Sequence, residues 1–456
     1  MTDDPHSSVV PERKPRVGCV FVSGMILVVL LVGGLLAIVA WQAAAARRVA
    51  RLKAEISARG EPVSAKELDG WYVLPEGRQD CTAEWLAAMG ALTSQEFGLD
   101  AKDLPVVGTG PEGIPTAGEP WEQLAAVENV LTKYQDAIRR LHAAAERGGA
   151  ARYPTNLGAG VTAPLDHIQS LRQGARVLTL EAHVRAHRGD PAGATRSIRT
   201  MIALATSLRN EPTIVSHLVR IAISGMATDV CRKTLPAVEF SDRALQQLST
   251  DLQQSDLPDG LYRAMVGERA IGISAFQDPG MLGGSLPTAF LLNRNDDLSL
   301  YLELMNEAVA ATQGQAKSGL GGVNIRFLLQ TRTGIGRLRY PVTQMLLPAL
   351  EAVQVANMRG QVDGAATATA IAIERYRRKT GTLPARLDQL APEYLPEVPV
   401  DLFDGQPLRY VVREQQYLLY SVGQNRVDDG GQDDQQQDLV FPVRRVVPGK
   451  KTRPGP

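Results

Sequence analysis

Six oxygen-bearing side chains crowd one short stretch near the C-terminus: Asn425, Asp428, Asp429, Asp433, Asp434 and Asp438. Calcium takes roughly six to eight oxygens in flexible geometry, so a carboxylate-rich loop bent at Gly430–Gly431 carries the donor set for one ion. Unpaired, five carboxylates within eleven residues repel one another, and a bound cation relieves that repulsion. A solvated acidic turn, lengthened by the glutamines at 435–437, is the plainer alternative.

A second pair of ligand-type residues, His183 and His187, stands at i and i+4, which on a helix puts both imidazoles on one face. Glu181, His167 or His217 would have to complete a zinc site. The sequence is HVRAH and not HExxH, so the general-base glutamate of a metalloprotease is missing. A solvated face beside Arg185 and Arg188 accounts for the pair more simply.

Other catalytic signatures are absent. There is no GxSxG, no Walker-type lysine loop and no GxGxxG opening a helix after a strand. Lys317–Ser318 precede the glycines of GLGGV at 319–323, whereas a phosphate-cradling loop needs them afterwards. The catalytic alternative is a membrane-bound metal-dependent hydrolase on the histidine face. Of three cysteines, Cys19 lies in an apolar run, leaving at most one disulfide, Cys81 to Cys231. Lys plus Arg equals Asp plus Glu at 49 each, without the basic excess of a nucleic-acid binder.

These groups must be positioned by the elements around them. Val17 to Trp41 is uncharged and long enough for the ~30 Å core of a bilayer. Arg13, Lys14 and Arg16 precede it, and Trp41 sits where an interfacial aromatic belongs. The competing reading is a signal peptide cut near Ala43–Ala46, but a signal core is usually only about 7–15 residues. The short basic tail places the body outside the cytoplasmic membrane, although Arg47, Arg48, Arg51 and Lys53 nearly balance the charge count.

Sparse aromatics and abundant alanine favour packed helices in the body. One helix should end at Gly189, with Asp190 capping the next and Pro191 at its first position. Ala194, Ile198, Ile202, Ala205 and Leu208 then form an apolar face. This helix, Gly-Asp turn, helix unit at 164–208 resembles a tetratricopeptide-type hairpin, without a repeat at fixed period. Further helices are expected at 241–254, 257–276 and 297–318. A long helix at 349–379, stopped by Gly381, precedes strands at 408–412, 417–422 and 439–443.

IERYRRKTGTLPARLDQL, PVDLFDGQPLRY and YLLYSVGQNRVDDGGQDD together resemble the soluble head of the type II secretion major pseudopilin, the general secretion pathway protein G family. Tyr376, Gly381, Pro384, Asp401, Gly405, Pro407, Tyr410, Tyr420, Ser421 and Gly423 stand at corresponding places, over about a fifth of the chain. The resemblance implies a calcium-binding acidic loop, protein partners in the cell envelope, and a possible place in a secretion or pilus-like machine. Two departures stand out: Asn425 replaces the family's aspartate, and no pseudopilin peptidase site precedes Val17.

The expected architecture is a single-pass membrane anchor, a mainly α-helical domain and a small α+β C-terminal module, a long helix followed by a three-stranded antiparallel sheet. Its boundaries are a tail at 1–16, the transmembrane helix at 17–41, a juxtamembrane helix and linker region at 42–120, the helical domain at 121–340, the pseudopilin-like module at 343–443, and a basic tail at 444–456. The expected role is an extracytoplasmic structural or interaction protein of the inner membrane, with the bilayer and envelope proteins as partners, no nucleic acid, and no cofactor besides calcium.

Overall fold

A computed structural model describes residues 17–111, 113–254, 257–282, 288–313, 339–413, 416–432 and 438–441. The first element, α1 (Val17–Ala58), is one unbroken helix of 42 residues. Its residues from Gly24 to Ala40 are exposed, in keeping with their apolar character only if something other than water covers them. Beyond Trp41 the pattern changes. Ala45, Val49, Leu52 and Ile56 recur at three- and four-residue spacing and are all buried.

Around the far end of α1 lies an irregular layer. It contains α2 (Ala65–Trp71), α3 (Thr82–Leu92) and α4 (Gln95–Asp100). Within 42–120, read as a juxtamembrane helix and linker region, α1 continues to Ala58, and Trp85, Met89, Leu92 and Phe97 are buried in the main core. The Pro/Gly segment after α4 is itself tied down, with Thr109 N–H donating to the Lys102 carbonyl at 2.7 Å. A side chain at Gly108 would strike the Ala101 and Lys102 carbonyls, so the close approach requires glycine there.

The centre is built from α5 (Leu124–Lys133), α6 (Gln135–Glu146), α7 (Asp166–His187), α8 (Pro191–Ser207) and α9 (Ile214–Thr234). The α7–α8 turn forms as the residue types require. Gly189 takes φ +67°, and the Asp190 carboxylate accepts the Gly193 N–H at 2.9 Å. Helix α9 is apolar and long enough to cross a bilayer by composition, yet it packs against α7 and α8 as a core helix. Cys81 and Cys231 are free, buried thiols, so the one disulfide the sequence left open is not formed.

Next come α10 (Asp242–Gln253), α11 (Leu257–Gln277), α12 (Thr288–Gln313) and α13 (Pro341–Thr380). Helix α12 starts nine residues before the expected 297, and the expected end at 318 lies outside the described residues. Helix α13 begins before the expected 349. Val342, Leu350 and Val353 in its first half pack with Met265, Tyr301 and Met305. Val362, Ala366 and Ile373 in its second half join a core that also holds Trp85, Leu178 and Phe441. Arg375 grips Asp242 at 2.7 and 3.0 Å, and Arg232 pairs with Asp363. The helix of the C-terminal module thus also packs against the helical body.

Gly381 ends α13 in the left-handed region at φ +82°, its N–H returning to the Arg377 carbonyl at 2.8 Å. Strands β1 (Arg409–Arg413), β2 (Gln416–Ser421) and β3 (Leu439–Val440) form an antiparallel sheet in the order β1-β2-β3. Tyr410 pairs with Leu419 and Tyr420 with Val440. The protein is predominantly helical with one small sheet near its C-terminus.

Candidate functional site

The C-terminal module is organised around one carboxylate. Asp401 is fully buried and accepts from Phe403 N–H at 3.0 Å, Ser421 Oγ–H at 2.9 Å and Val422 N–H at 2.9 Å. Ser421 Oγ in turn accepts the Gly423 N–H at 3.1 Å. Gly405, at φ +77°, closes the turn by returning its N–H to the Asp401 carbonyl at 2.8 Å. Tyr410 O–H donates to the Pro384 carbonyl at 3.0 Å, fastening β1 to the turn after α13. Several residues quoted for the pseudopilin resemblance therefore act on one another, and their chemistry is structural. With Arg409 Nη1 at 3.4 Å as a fourth donor, little of the Asp401 carboxylate remains for a ligand.

The acidic loop leaves this knot at Gly423. Asp428 Oδ1 accepts from Gly430 N–H at 3.0 Å and from Tyr420 O–H at 3.1 Å, and its other oxygen lies 3.7 Å from Arg409 Nε. Asn425 Nδ2 donates to Asp429 Oδ2 at 3.0 Å, and Asn425 Oδ1 accepts Val427 N–H at 3.1 Å. Both glycines at the bend take positive φ, 76° at Gly430 and 78° at Gly431. Asp438 differs from its neighbours. It is fully buried, Oδ2 accepts Gly431 N–H at 2.7 Å, and Oδ1 has no hydrogen-bond partner. Asp433 and Asp434 lie outside the described residues. Among the described residues, no three His, Cys, Asp or Glu side chains gather as a metal site.

His183 and His187 share a face of α7, but at His183 it is not the solvated face expected. His183 is buried at 4% exposure, and burial pulls its imidazole down to about 4. His187 Nδ1 donates to the His183 carbonyl at 2.9 Å, and its ring lies 5.0 Å from that of Trp121. The three proposed third ligands are all engaged elsewhere. His167 Nε2 meets both Glu211 oxygens, at 2.8 and 3.1 Å, and stacks on Tyr153 at 4.6 Å. His217 Nε2 meets Asn357 Oδ1 at 3.0 Å. Burial and the neighbouring Arg220 pull His217 down to about 4.

Glu181 joins an arrangement that superficially resembles a nucleophile, base and acid. His142 Nδ1 lies 2.7 Å from Thr200 Oγ1, and its Nε2 lies 2.9 Å from Glu181 Oε2, which also accepts from Ser197 Oγ–H at 2.9 Å. Burial pushes the Glu181 carboxyl up, but the His142 hydrogen bond and charge outweigh it and hold the group below its ordinary range. The Thr200 hydroxyl also lies 2.9 Å from the Arg196 carbonyl, so its one proton is shared between two acceptors within the helix layer. This is a satisfied buried network, and such networks fix helix register.

Comparison with known protein families, characterised proteins and solved structures found no match to this chain. Two features escaped the reading of the sequence. One is a buried ion pair, Glu61 with Arg269 at 2.5 Å, which joins residues more than two hundred positions apart. The local signal was an arginine inside the apolar run of α11. The other is an arginine-lined groove over α8 and α10, whose arginines lie on three helices and two connecting segments and share no sequence motif.

Proposed function

We propose that this chain is a membrane-anchored interaction protein of the cell envelope, held by 17–41 with its body outside the cytoplasmic membrane, acting through protein contacts rather than catalysis. The observation that carries this reading is α1. Its apolar half is exposed over Gly24–Ala40, while its continuation buries Ala45, Val49, Leu52 and Ile56 in the body without a break. A signal sequence is discarded, so the fold has no need to continue its helix. A retained anchor gains from carrying it straight into the core. The polar clusters that could do chemistry, His142–Glu181 and His167–Glu211, are buried pairs satisfied by their neighbours, which favours contact over turnover.

The acidic loop at 425–438 takes one calcium ion in this reading. Support comes from Asp438 Oδ1, a buried carboxylate oxygen without a hydrogen-bond partner among the described residues. Such an oxygen is costly unless a cation or donor covers it. Association with a secretion or pilus-like machine remains the more specific form of the proposal, supported by the sequence resemblance of the last hundred or so residues.

Membrane fractionation tests the anchor. The intact chain should stay in the pellet through alkaline carbonate extraction and keep the mass of the uncleaved polypeptide. A reporter that is active only in the cytoplasm, fused after Pro456, should be silent. A shortened, carbonate-soluble chain would refute the anchor, and an active reporter would reverse the topology.

A further inference from the structure

A groove of about 1260 Å³ opens over α8 and α10 and reaches the C-terminal end of α13. It is lined by Arg78, Arg196, Arg199, Arg209, Arg243 and Arg378, against three carboxylates, Glu146, Glu239 and Asp251. Arg209 is further paired with Asp259 at 3.0 Å, and the remaining excess of two positive charges sits in a concave, low-dielectric wall, which focuses the field on whatever enters.

The arginines are not all occupied by the protein itself. Arg196 pairs with Glu146 at 2.7 Å and Arg199 with Asp251 at 2.5 Å, both with substantially exposed guanidinium groups. Arg378 donates to the Phe240 carbonyl at the rim. Arg78 and Arg243 are exposed, and among the described residues neither has a carboxylate partner. Exposed pairs of this kind contribute about 0–1 kcal/mol, so an incoming carboxylate can take over a guanidinium at little cost. Arginine suits the exchange, because its planar fork accepts a carboxylate through two parallel hydrogen bonds.

The rest of the lining narrows the ligand class. The volume exceeds the roughly 300–1,000 Å³ of ordinary small-molecule pockets. Gln247, Gln253 and Gln254 line the groove, and each amide offers a donor and an acceptor, matching a peptide backbone. Ile202, Ala203 and Phe240 add apolar surface. A polyphosphate would want donors alone, and the interspersed Glu146, Glu239 and Asp251 would repel it. A polypeptide whose acidic side chains are spaced by neutral ones can alternate with those carboxylates.

The geometry points to this groove as the binding site for an acidic, extended polypeptide segment of a partner protein. The inference deepens the proposed interaction role and rests on it for biological meaning, yet the binding itself is measured without reference to the anchor.

The test uses the full chain in detergent micelles. The probe is a short fluorescein-labelled peptide of alternating Glu and Ser, followed by fluorescence anisotropy. A peptide of alternating Gln and Ser is the control, and inorganic tripolyphosphate is the competitor. The Glu/Ser peptide should bind, and binding should weaken with added salt. Arg78→Glu combined with Arg243→Glu should weaken it by about tenfold or more. Both residues are exposed and without carboxylate partners, so the variant should keep the parent's unfolding curve. The charge-removing variant Arg78→Gln with Arg243→Gln should fall between the two. Three results would overturn the proposal: equal binding of the Gln/Ser peptide, unchanged affinity in the double Glu variant, or tripolyphosphate competing at lower concentration than unlabelled Glu/Ser peptide. The last would make this a phosphate site. Loss of carbonate-resistant membrane retention with intact peptide binding would sink the anchor and leave the groove standing.

Discussion

Glu61→Ala should destabilise the protein far more than an ordinary surface substitution. Glu61 is 4% exposed, just past the end of α1, and Arg269 on α11 is fully buried. Their side chains meet at 2.5 Å, with Arg59 at 3.1 Å and Tyr262 O–H at 3.1 Å on the same carboxylate. Truncation leaves the Arg269 guanidinium with only Asn306, at 2.8 Å, as a described partner. Stranding a buried charge costs about 3–5 kcal/mol, whereas replacing both partners with apolar groups of similar size is often neutral or stabilising. Over a body of roughly 400 residues the unfolding entropy is about 0.8 kcal/mol/K, so a loss of ~4 kcal/mol lowers the melting temperature by ~5 °C. Trp71 packs edge-on against Tyr262 at 6.5 Å, so tryptophan fluorescence during denaturation reports on this region. Glu61→Leu with Arg269→Met should recover most of the loss. The pH dependence follows from the carboxyl. Burial pushes it up, but Arg269 and Arg59 hold it below the ordinary glutamate value of 4.5. Its stabilisation is therefore present above 4.5 and disappears as pH falls through the lower folded value, so the gap between parent and Glu61→Ala should narrow there. A single-variant loss under about 1 kcal/mol, or a double variant worse than the single, would refute the argument.

The remaining predictions concern pH, the acidic loop and one glycine. His183 is drawn from 6.5 to about 4, so between those values the unfolded chain binds a proton that the folded one excludes, and stability falls as pH drops through the window by about 1.4 kcal/mol per unit. Burial raises Asp297 to about 6 and Glu268 to about 7, which acts in the opposite sense. The effect therefore appears as a difference: the destabilisation caused by His183→Gln should shrink from pH 6.5 to 5, and a constant difference would count against it. Calcium at about ten times a Kd of 10⁻⁴–10⁻³ M should add about 1.4 kcal/mol, with magnesium doing little and Asp438→Asn abolishing most of the gain. Identical melting curves in calcium and chelator would leave the loop a solvated turn. Gly267→Ala would drive a methyl into the Pro212 carbonyl between α8 and α9, and should cost more than 1–2 kcal/mol in denaturant midpoint analysis, well above the ~0.5 kcal/mol of a neutral surface change.

What the sequence disclosed was local. The α7–α8 turn was legible because glycine at positive φ, an aspartate cap and a first-turn proline each have one reason to be there. Gly381 and the three strands were legible for the same kind of reason. Partnership across the chain was not legible. The spacing of His183 and His187 defines a helix face, but it cannot say that α7 buries that face, so one imidazole is enclosed and the other stacks on Trp121. The juxtamembrane helix and linker region read at 42–120 was legible in its first part, where α1 runs on to Ala58. Its short helices carry weak periodicity, and only the contacts of Trp85 and Phe97 reveal them as core. Nor does spacing within α13 announce that one long helix serves two cores, as it does through Val342 and Ile373.

The coupling of α1 to the body bears on how a partner would reach the groove. Eight residues separate Trp41 from Val49, a rise of about 12 Å at 1.5 Å per residue, and Ala45 is already buried between them. The Arg339 guanidinium lies 5.4 Å from the centre of the Trp41 ring, so even the interfacial residue touches the body. With α1 in a bilayer, no flexible tether lets the body swing away, and the Glu61–Arg269 pair fixes the far end of the same helix. A partner segment must then approach a groove at a set orientation, with 37 residues of α13, about 56 Å of helix, between Pro341 near Trp41 and Arg378 in the groove. A partner tethered to the same bilayer by a segment of matching reach profits most from this, because its effective concentration rises without any new contact. Loosening α1 by Glu61→Ala should therefore weaken capture of a membrane-bound Glu/Ser peptide more than capture of the same peptide in solution. Equal weakening of both would mean that the groove itself, and not its placement, depends on the ion pair.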